Sequence, residues 1–176
     1  MLTRDKIIRA LTLLGAELAK ANQSGEILLT GGAAMCLVHS ARDMTKDIDA
    51  LYEPKEDINR LAKQIAESEC LPENWLNDGV KGFVVEGAPI DDFIVLDGLK
   101  INVVAPDYLL SMKLISARYG ETDAEDIKFL IKKMKIKTVD EAYAILMKYY
   151  PEKMILPKTM YVIHECLNGL NQNNDE

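Results

Sequence analysis

The stretch Leu28–Leu51, LLTGGAAMCLVHSARDMTKDIDAL, decides the fold. It reads as the end of a short apolar strand, Glu26–Thr30, a turn at Gly31-Gly32, and a short buried helix over Ala33–His39. A polar segment, Arg42–Lys46, follows and is expected to be exposed; a second strand, Asp47–Tyr52, then carries two acids. Side chains alternate across a strand, so Asp47 and Asp49 are expected on one side and Ile48 on the other. Two carboxylates side by side repel each other unless a cation offsets the charge, and magnesium is the hard, oxygen-seeking choice. The paired glycines let a phosphate approach the backbone, and the helix behind them offers N–H groups.

The order of these residues resembles the DNA polymerase β-type nucleotidyltransferase superfamily. Arg42-x-x-Thr45-x-Asp47-x-Asp49 is similar to abortive-infection-type toxin nucleotidyltransferases and a related bacterial subgroup. The similarity runs on through Trp75-Leu76-Asn77-Asp78, Lys113, Ala117-Arg118 and Asp123-Ala124-Glu125-Asp126, covering roughly Leu28 to Leu130. It implies a small mixed β-sheet backed by helices, with the active site on its open side. It also implies transfer of a nucleotide from an NTP to a hydroxyl of RNA or protein, with Mg2+ as cofactor. A cognate antitoxin would be the partner of a toxin-like member. The superfamily ordinarily adds a third carboxylate; Asp92 fits that role best by location, since the strand Leu99–Val104 offers Asn102 and no acid.

Composition sets the outer bounds. A chain of 176 residues suits one domain, or one with a small appended lobe. The net charge of −7 argues against a broad DNA-binding surface. Cys36, Cys70 and Cys166 are scattered and odd in number, which suits reduced thiols in a cytoplasmic protein. No apolar run is long enough to cross a membrane, and the polar tail Asn171–Glu176 reads as disordered.

Helical spacing predicts a first helix over Thr3–Lys20, with Ile7, Ile8, Leu11, Leu14 and Leu18 on one face, and another over Asp57–Glu67. Leu71–Gly82 reads as a loop anchored by Trp75 and Leu76; Phe83–Val85, Asp92–Leu96 and Leu99–Val104 read as strands, the last two joined by an Asp97-Gly98 turn. A buried helix over Pro106–Arg118 carries Lys113. Capping boxes at Thr122/Glu125 and Thr138/Glu141 start two more helices. A last helix presents Met160, Ile163, His164 and Leu167 on one face. The fold class is therefore α+β: a nucleotidyltransferase-like core over 1–105, a helical C-terminal part over 106–170, and a tail.

Each candidate carries a bland reading beside the chemical one. Gly31 and Gly32 form either a ligandless turn or a phosphate cradle. Asp47 and Asp49 are either solvated edge acids or metal ligands, with Asp92 as a third. Arg42 and Lys46 are either surface charge or a grip on triphosphate, and Thr45 caps or orients the carboxylates. Lys113 either snorkels along apolar surface or meets a phosphate or Asp49. Arg118 and Asp126 read as a structural pair, Asp123 as a first-turn acid facing the helix dipole, and His39 and His164 as structural. Two functions stay open: a nucleotidyltransferase, with Asp47, Asp49 and Lys113 in the catalytic roles, and a catalytically degenerate nucleotide- or partner-binding module with the same fold. An unrelated α+β adaptor with a chance motif is the third alternative.

Overall fold

The computed structural model describes residues 1–117 and 123–172. The chain is α+β, and its contacts divide it into two compact units. The first comprises Met1–Gly82 and Ile90–Val104; the second comprises Phe83–Pro89 and the chain from Ala105 onward.

In the first unit, β1 (Leu2–Thr3) leads into α1 (Arg4–Lys20), then β2 (Gly25–Leu29), α2 (Gly31–Leu37), β3 (Met44–Thr45), β4 (Ile48–Glu53), α3 (Lys55–Ser68), β5 (Leu76–Asn77), β6 (Ile90–Leu96) and β7 (Leu99–Val104). The main sheet has the order β5-β4-β2-β7-β6; β1 and β3 form a separate antiparallel pair. Strand β2 runs antiparallel to β4 and parallel to β7, β4 runs parallel to β5, and β6 and β7 form an antiparallel hairpin. One face is apolar: Ile27, Leu29, Ile48, Ala50, Leu99, Ile101 and Val103 are buried there. The helices supply the matching stripe, Ile7, Leu11, Leu14 and Leu18 from α1 and Ile58, Leu61, Ala62 and Ile65 from α3, all buried. Fully burying one such side chain stabilises by roughly 1.5–3 kcal/mol. Thr3 caps α1, accepting from the Lys6 N–H. The alternate face of the sheet carries Glu26, Leu28, Asp49, Leu51, Lys100 and Asn102.

The sequence reading of Leu71–Gly82 as a loop needs amendment. Trp75 is fully buried and donates Nε1–H to the Ala62 carbonyl at 2.9 Å. The Trp75 carbonyl accepts from Ile48 N at 2.7 Å, and β5 pairs with β4 just beyond it. The anchor expected of Trp75 and Leu76 thus also builds an edge strand.

In the second unit, α4 (Pro106–Ser116), α5 (Asp123–Lys133), α6 (Val139–Tyr149) and α7 (Pro157–Gln172) pack around Leu109, Leu110, Leu114, Ile127, Leu130, Ile131, Leu146 and Ile163. Thr138 caps α6 as expected, accepting from Glu141 N at 3.2 Å, while Glu141 returns to Lys137 N, one residue earlier than a capping box requires. The Thr122 cap and the tail beyond 172 lie outside the described residues. His164 is exposed; Thr159, Ile163, Cys166 and Leu167 make the inward face of α7.

Phe83–Val85 is not a strand. The Phe83 carbonyl accepts from the hydroxyls of Tyr108 (3.3 Å) and Tyr150 (2.5 Å), and Val85 N donates to the Tyr108 oxygen at 2.6 Å. Tyrosine hydroxyls take the backbone groups a ladder would need, which assigns Phe83–Pro89 to the helical unit rather than to the core expected over 1–105. Among the described residues, no helix is long and apolar enough to cross a membrane.

The α4–α6 packing generates one pH-dependent prediction. Burial opposes ionisation of Asp107, yet donors from Lys148 Nζ (2.7 Å), Tyr149 OH (2.5 Å) and its neighbour Tyr108 N (2.8 Å) outweigh it and hold the carboxyl below its ordinary range. A carboxyl depressed by folding contributes stability that is full above its unfolded pKa and disappears as pH falls through the lower native value. Asp107→Asn is expected to cost about 1.5 kcal/mol near neutrality and to flatten the acid limb of the urea-derived stability curve. An unchanged acid limb would contradict the assignment.

Candidate functional site

The site is built where β2 hands the chain to α2. Thr30, fully buried, donates both its N–H and its hydroxyl to the Asp49 carbonyl, each at 3.0 Å. That double bond to β4 fixes the turn and leaves α2 without a side-chain cap, because the Thr30 hydroxyl is engaged elsewhere. Gly31 follows with φ +53°, a left-handed conformation that glycine adopts without a Cβ penalty. A Cβ on Gly31 would stand 2.8 Å from Asp49 Oδ2; one on Gly32 would stand 2.3 Å from Thr45 Oγ1 and 3.0 Å from an Arg42 Nη atom. The place of a Cβ is thus already taken at each α-carbon, by a carboxylate at the first and by a hydroxyl and a guanidinium at the second, and Gly32 itself is buried.

Five of the sequence candidates meet here: Gly31, Gly32, Arg42, Thr45 and Asp49. Thr45 is buried rather than exposed, because β3 pairs with β1 in the register Leu2↔Thr45, and Leu2, itself buried, draws the segment inward. Arg4 donates to the Leu37 carbonyl and closes the other end of α2. Lys46 is exposed. Asp47 is half-buried and lies one residue before β4 begins, so strand alternation pairs Asp49 with Leu51 and does not by itself extend to Asp47. The helix that was expected to offer its N-terminus starts two residues early, at Gly31, and has only seven residues; Arg42 places a guanidinium beside Gly32.

Asp92 is placed elsewhere. It stands on β6 opposite Asn102, is 85% exposed, and pairs with Lys100 at 3.0 Å. Strands β2 and β7 separate β6 from β4, so Asp92 and Asp49 lie three strand spacings apart, on the order of 14 Å. Two aspartate side chains cannot reach one ion across that gap. Among the described residues, no group of three or more His, Cys, Asp or Glu side chains is placed to hold a metal.

Lys113 belongs to the second unit and is nearly buried. Its ammonium lies 2.7 Å from Asp123 Oδ1 and 2.7 Å from Asp126 Oδ2. The partner an amine needs inside an apolar helix is thus supplied by the next helix, and Asp123 does more there than face a dipole. The expected Arg118–Asp126 pair falls on a residue outside those described. Removing the lysine from such a triad would take a charge partner from two carboxylates, one of them buried, a loss of roughly 3–5 kcal/mol.

Sequence reading missed Asn77 as a neighbour of the site. Strand β5 pairs it directly with Asp49; the signal was present in Trp75-Leu76-Asn77-Asp78, read as a loop. Two clefts in the first unit bear on the geometry. One, of about 340 Å³, is bounded by Arg4, Cys36, Ser40 and Arg42, and neither Gly31, Gly32 nor Asp49 lines it. A larger one, of about 610 Å³, lies at the other end of β2 beside Glu26, Glu53 and Lys100. Size favours the second, but the convergence of bare backbone, carboxylate and guanidinium is found at the turn.

Comparison with protein-family models, with curated proteins and with solved structures finds no match to this chain.

The turn yields a direct test. Gly32→Ala forces a methyl against the Thr45 hydroxyl and the Arg42 guanidinium, and is expected to destabilise the protein by about 1–3 kcal/mol in urea unfolding. Gly32→Ala combined with Thr45→Ala is expected to recover part of that loss, by relieving the 2.3 Å approach. Full additivity of the two changes would show that the residues do not touch.

Proposed function

We propose that the Gly31–Gly32 turn is the phosphate-binding element of a metal-dependent nucleotidyltransferase that moves a nucleotide from an NTP to a hydroxyl of RNA or protein. The observation that carries the reading is the meeting of Asp49, Arg42 and Thr45 at two α-carbons with no room for a side chain. Gly31, the half-buried member of the pair, would offer its main chain to phosphate oxygens. Arg42 presents a planar guanidinium suited to two of those oxygens at once. Thr45 offers a hydroxyl beside them.

Magnesium fits the donor set: it is usually held by one or two carboxylates together with substrate phosphates, not by a cage of protein ligands. Asp49 and Asp47 would hold it, and it would supply positive charge to the phosphate chain. The residues of the turn would then keep the triphosphate tail in place while the acceptor oxygen bonds to the α-phosphorus. The bond from that phosphorus to the bridging oxygen breaks, pyrophosphate departs, and the hydroxyl proton passes to water. Toxin-like activity held in check by an antitoxin is one setting for this chemistry.

A second reading is favoured by one specific observation, the distance of Asp92 from Asp49. Without that third carboxylate the same turn serves a degenerate module that binds nucleotide, or a protein partner, and transfers nothing.

Calorimetry with each of the four NTPs and magnesium tests the proposal. Magnesium-dependent binding by the wild type is expected, weakened about 100-fold, equivalent to ~2.7 kcal/mol, in Asp47→Asn/Asp49→Asn. Incorporation of labelled nucleotide into RNA or protein then separates transferase from module. A folded wild type that binds no NTP would refute the nucleotide reading.

A further inference from the structure

We infer that Asn77 is a substrate-binding residue of this site, donating from Nδ2 to an oxygen of the reacting phosphoryl group; the inference rests on the nucleotide reading of the Gly31–Gly32 turn. Strands β4 and β5 run parallel with Asp49 and Asn77 as register partners. Register partners point to the same face of a sheet, on strands about 4.8 Å apart. Leu76 and Ile48, the preceding pair, are both buried on the opposite face, and Asn77 and Asp49 are both half-exposed, as that alternation requires. The Asn77 amide is therefore a side-chain neighbour of the Asp49 carboxylate.

Its orientation is fixed as well. Asn77 Oδ1 accepts from the Gly79 N–H at 3.0 Å, and a backbone donor must face the carbonyl end of the amide. Nδ2, with two protons, has no acceptor among the described residues. Backbone mobility is restrained on both sides. Trp75 is locked into the fold by its bonds to Ala62 and Ile48, and Asp78 pairs with Lys55. A rigid segment thus presents a neutral donor beside an acid.

The order across the sheet gives that donor a task. The turn that would hold the triphosphate tail belongs to the β2 side of Asp49, and Asn77 belongs to the β5 side. In an in-line displacement, the leaving pyrophosphate and the incoming oxygen stand on opposite sides of the phosphorus. With pyrophosphate toward β2, the reacting phosphoryl group lies over Asp49, within reach of β5. A donor there shares the charge on its non-bridging oxygens and adds no cation to compete with the metal. A lysine or arginine at this place would pair with Asp49 instead.

The test uses the full chain and magnesium with the preferred NTP, comparing wild type, Asn77→Ala and Asn77→Ser by calorimetry and by thermal melting. Asn77→Ser keeps a short acceptor for the Gly79 N–H, adds no charge beside Asp49 and withdraws the Nδ2 donor; Asn77→Ala removes both. A binding role predicts about tenfold weaker NTP affinity in both variants, with the melting point lowered only in Asn77→Ala. A merely structural role predicts the reverse emphasis: Asn77→Ser binds as the wild type does, and any loss in Asn77→Ala follows its melting point. That result overturns the inference and leaves the nucleotide reading intact. A wild type that binds no NTP overturns both.

Discussion

Thr30 gives two hydrogen bonds to one carbonyl, that of Asp49, and much of the first unit depends on that junction. Through it the antiparallel pairing of β2 with β4 ends in a fixed place, Gly31 is forced into a left-handed turn, and the Asp49 carboxylate is brought against the Gly31 α-carbon. The apolar face behind it, from Ile27 and Leu29 to Ile48 and Ala50, makes a register slip costly, because moving one residue along would bury Asp49 and expose Ile48. Core packing and site geometry are therefore one constraint. The register that buries the aliphatic side chains is the register that sets the acid beside the glycines.

Much of this was legible from residue order. Helical spacing located α1 and α3, and Asp97-Gly98 located the hairpin, where Gly98 has φ +66°. The glycine pair and the acid were recognisable because few local structures need both bare backbone and a charge within a short span. What stayed hidden depended on contacts between distant residues. Thr45 reads as exposed in its polar neighbourhood, and only the pairing of β3 with two residues at the start of the chain buries it. Leu76–Asn77 is too short to show an alternation, and its strand character comes from Trp75 locking onto α3 and β4. Phe83–Val85 has strand-forming residues, but tyrosine hydroxyls claim its backbone.

The charged candidates are placed in three different ways. Lys113 is the most deeply placed lysine ammonium among the described residues, and two carboxylates from α5 hold it. Its burial thus serves the joining of α4 to α5. Asp92 is exposed on an edge strand and paired with Lys100, next to a register shift between Asp92 and Ile94; charges and irregularities at an edge discourage pairing with another chain. Arg42 and Asp49 differ from both: Asp49 lies against the bare α-carbon of Gly31, and Arg42 against that of Gly32.

On the proposed function, the backbone of the Gly31–Gly32 turn receives phosphate. Amide chemical-shift mapping of the 15N-labelled chain, titrated with magnesium and a non-hydrolysable NTP analogue, addresses it most directly. The account predicts saturable shifts concentrated at the Gly31, Gly32 and Ala33 amides and at the Arg42 side chain, lost when magnesium is removed. Shifts confined to the Glu26, Glu53 and Lys100 cleft at the other end of β2, with the turn unmoved, would contradict it.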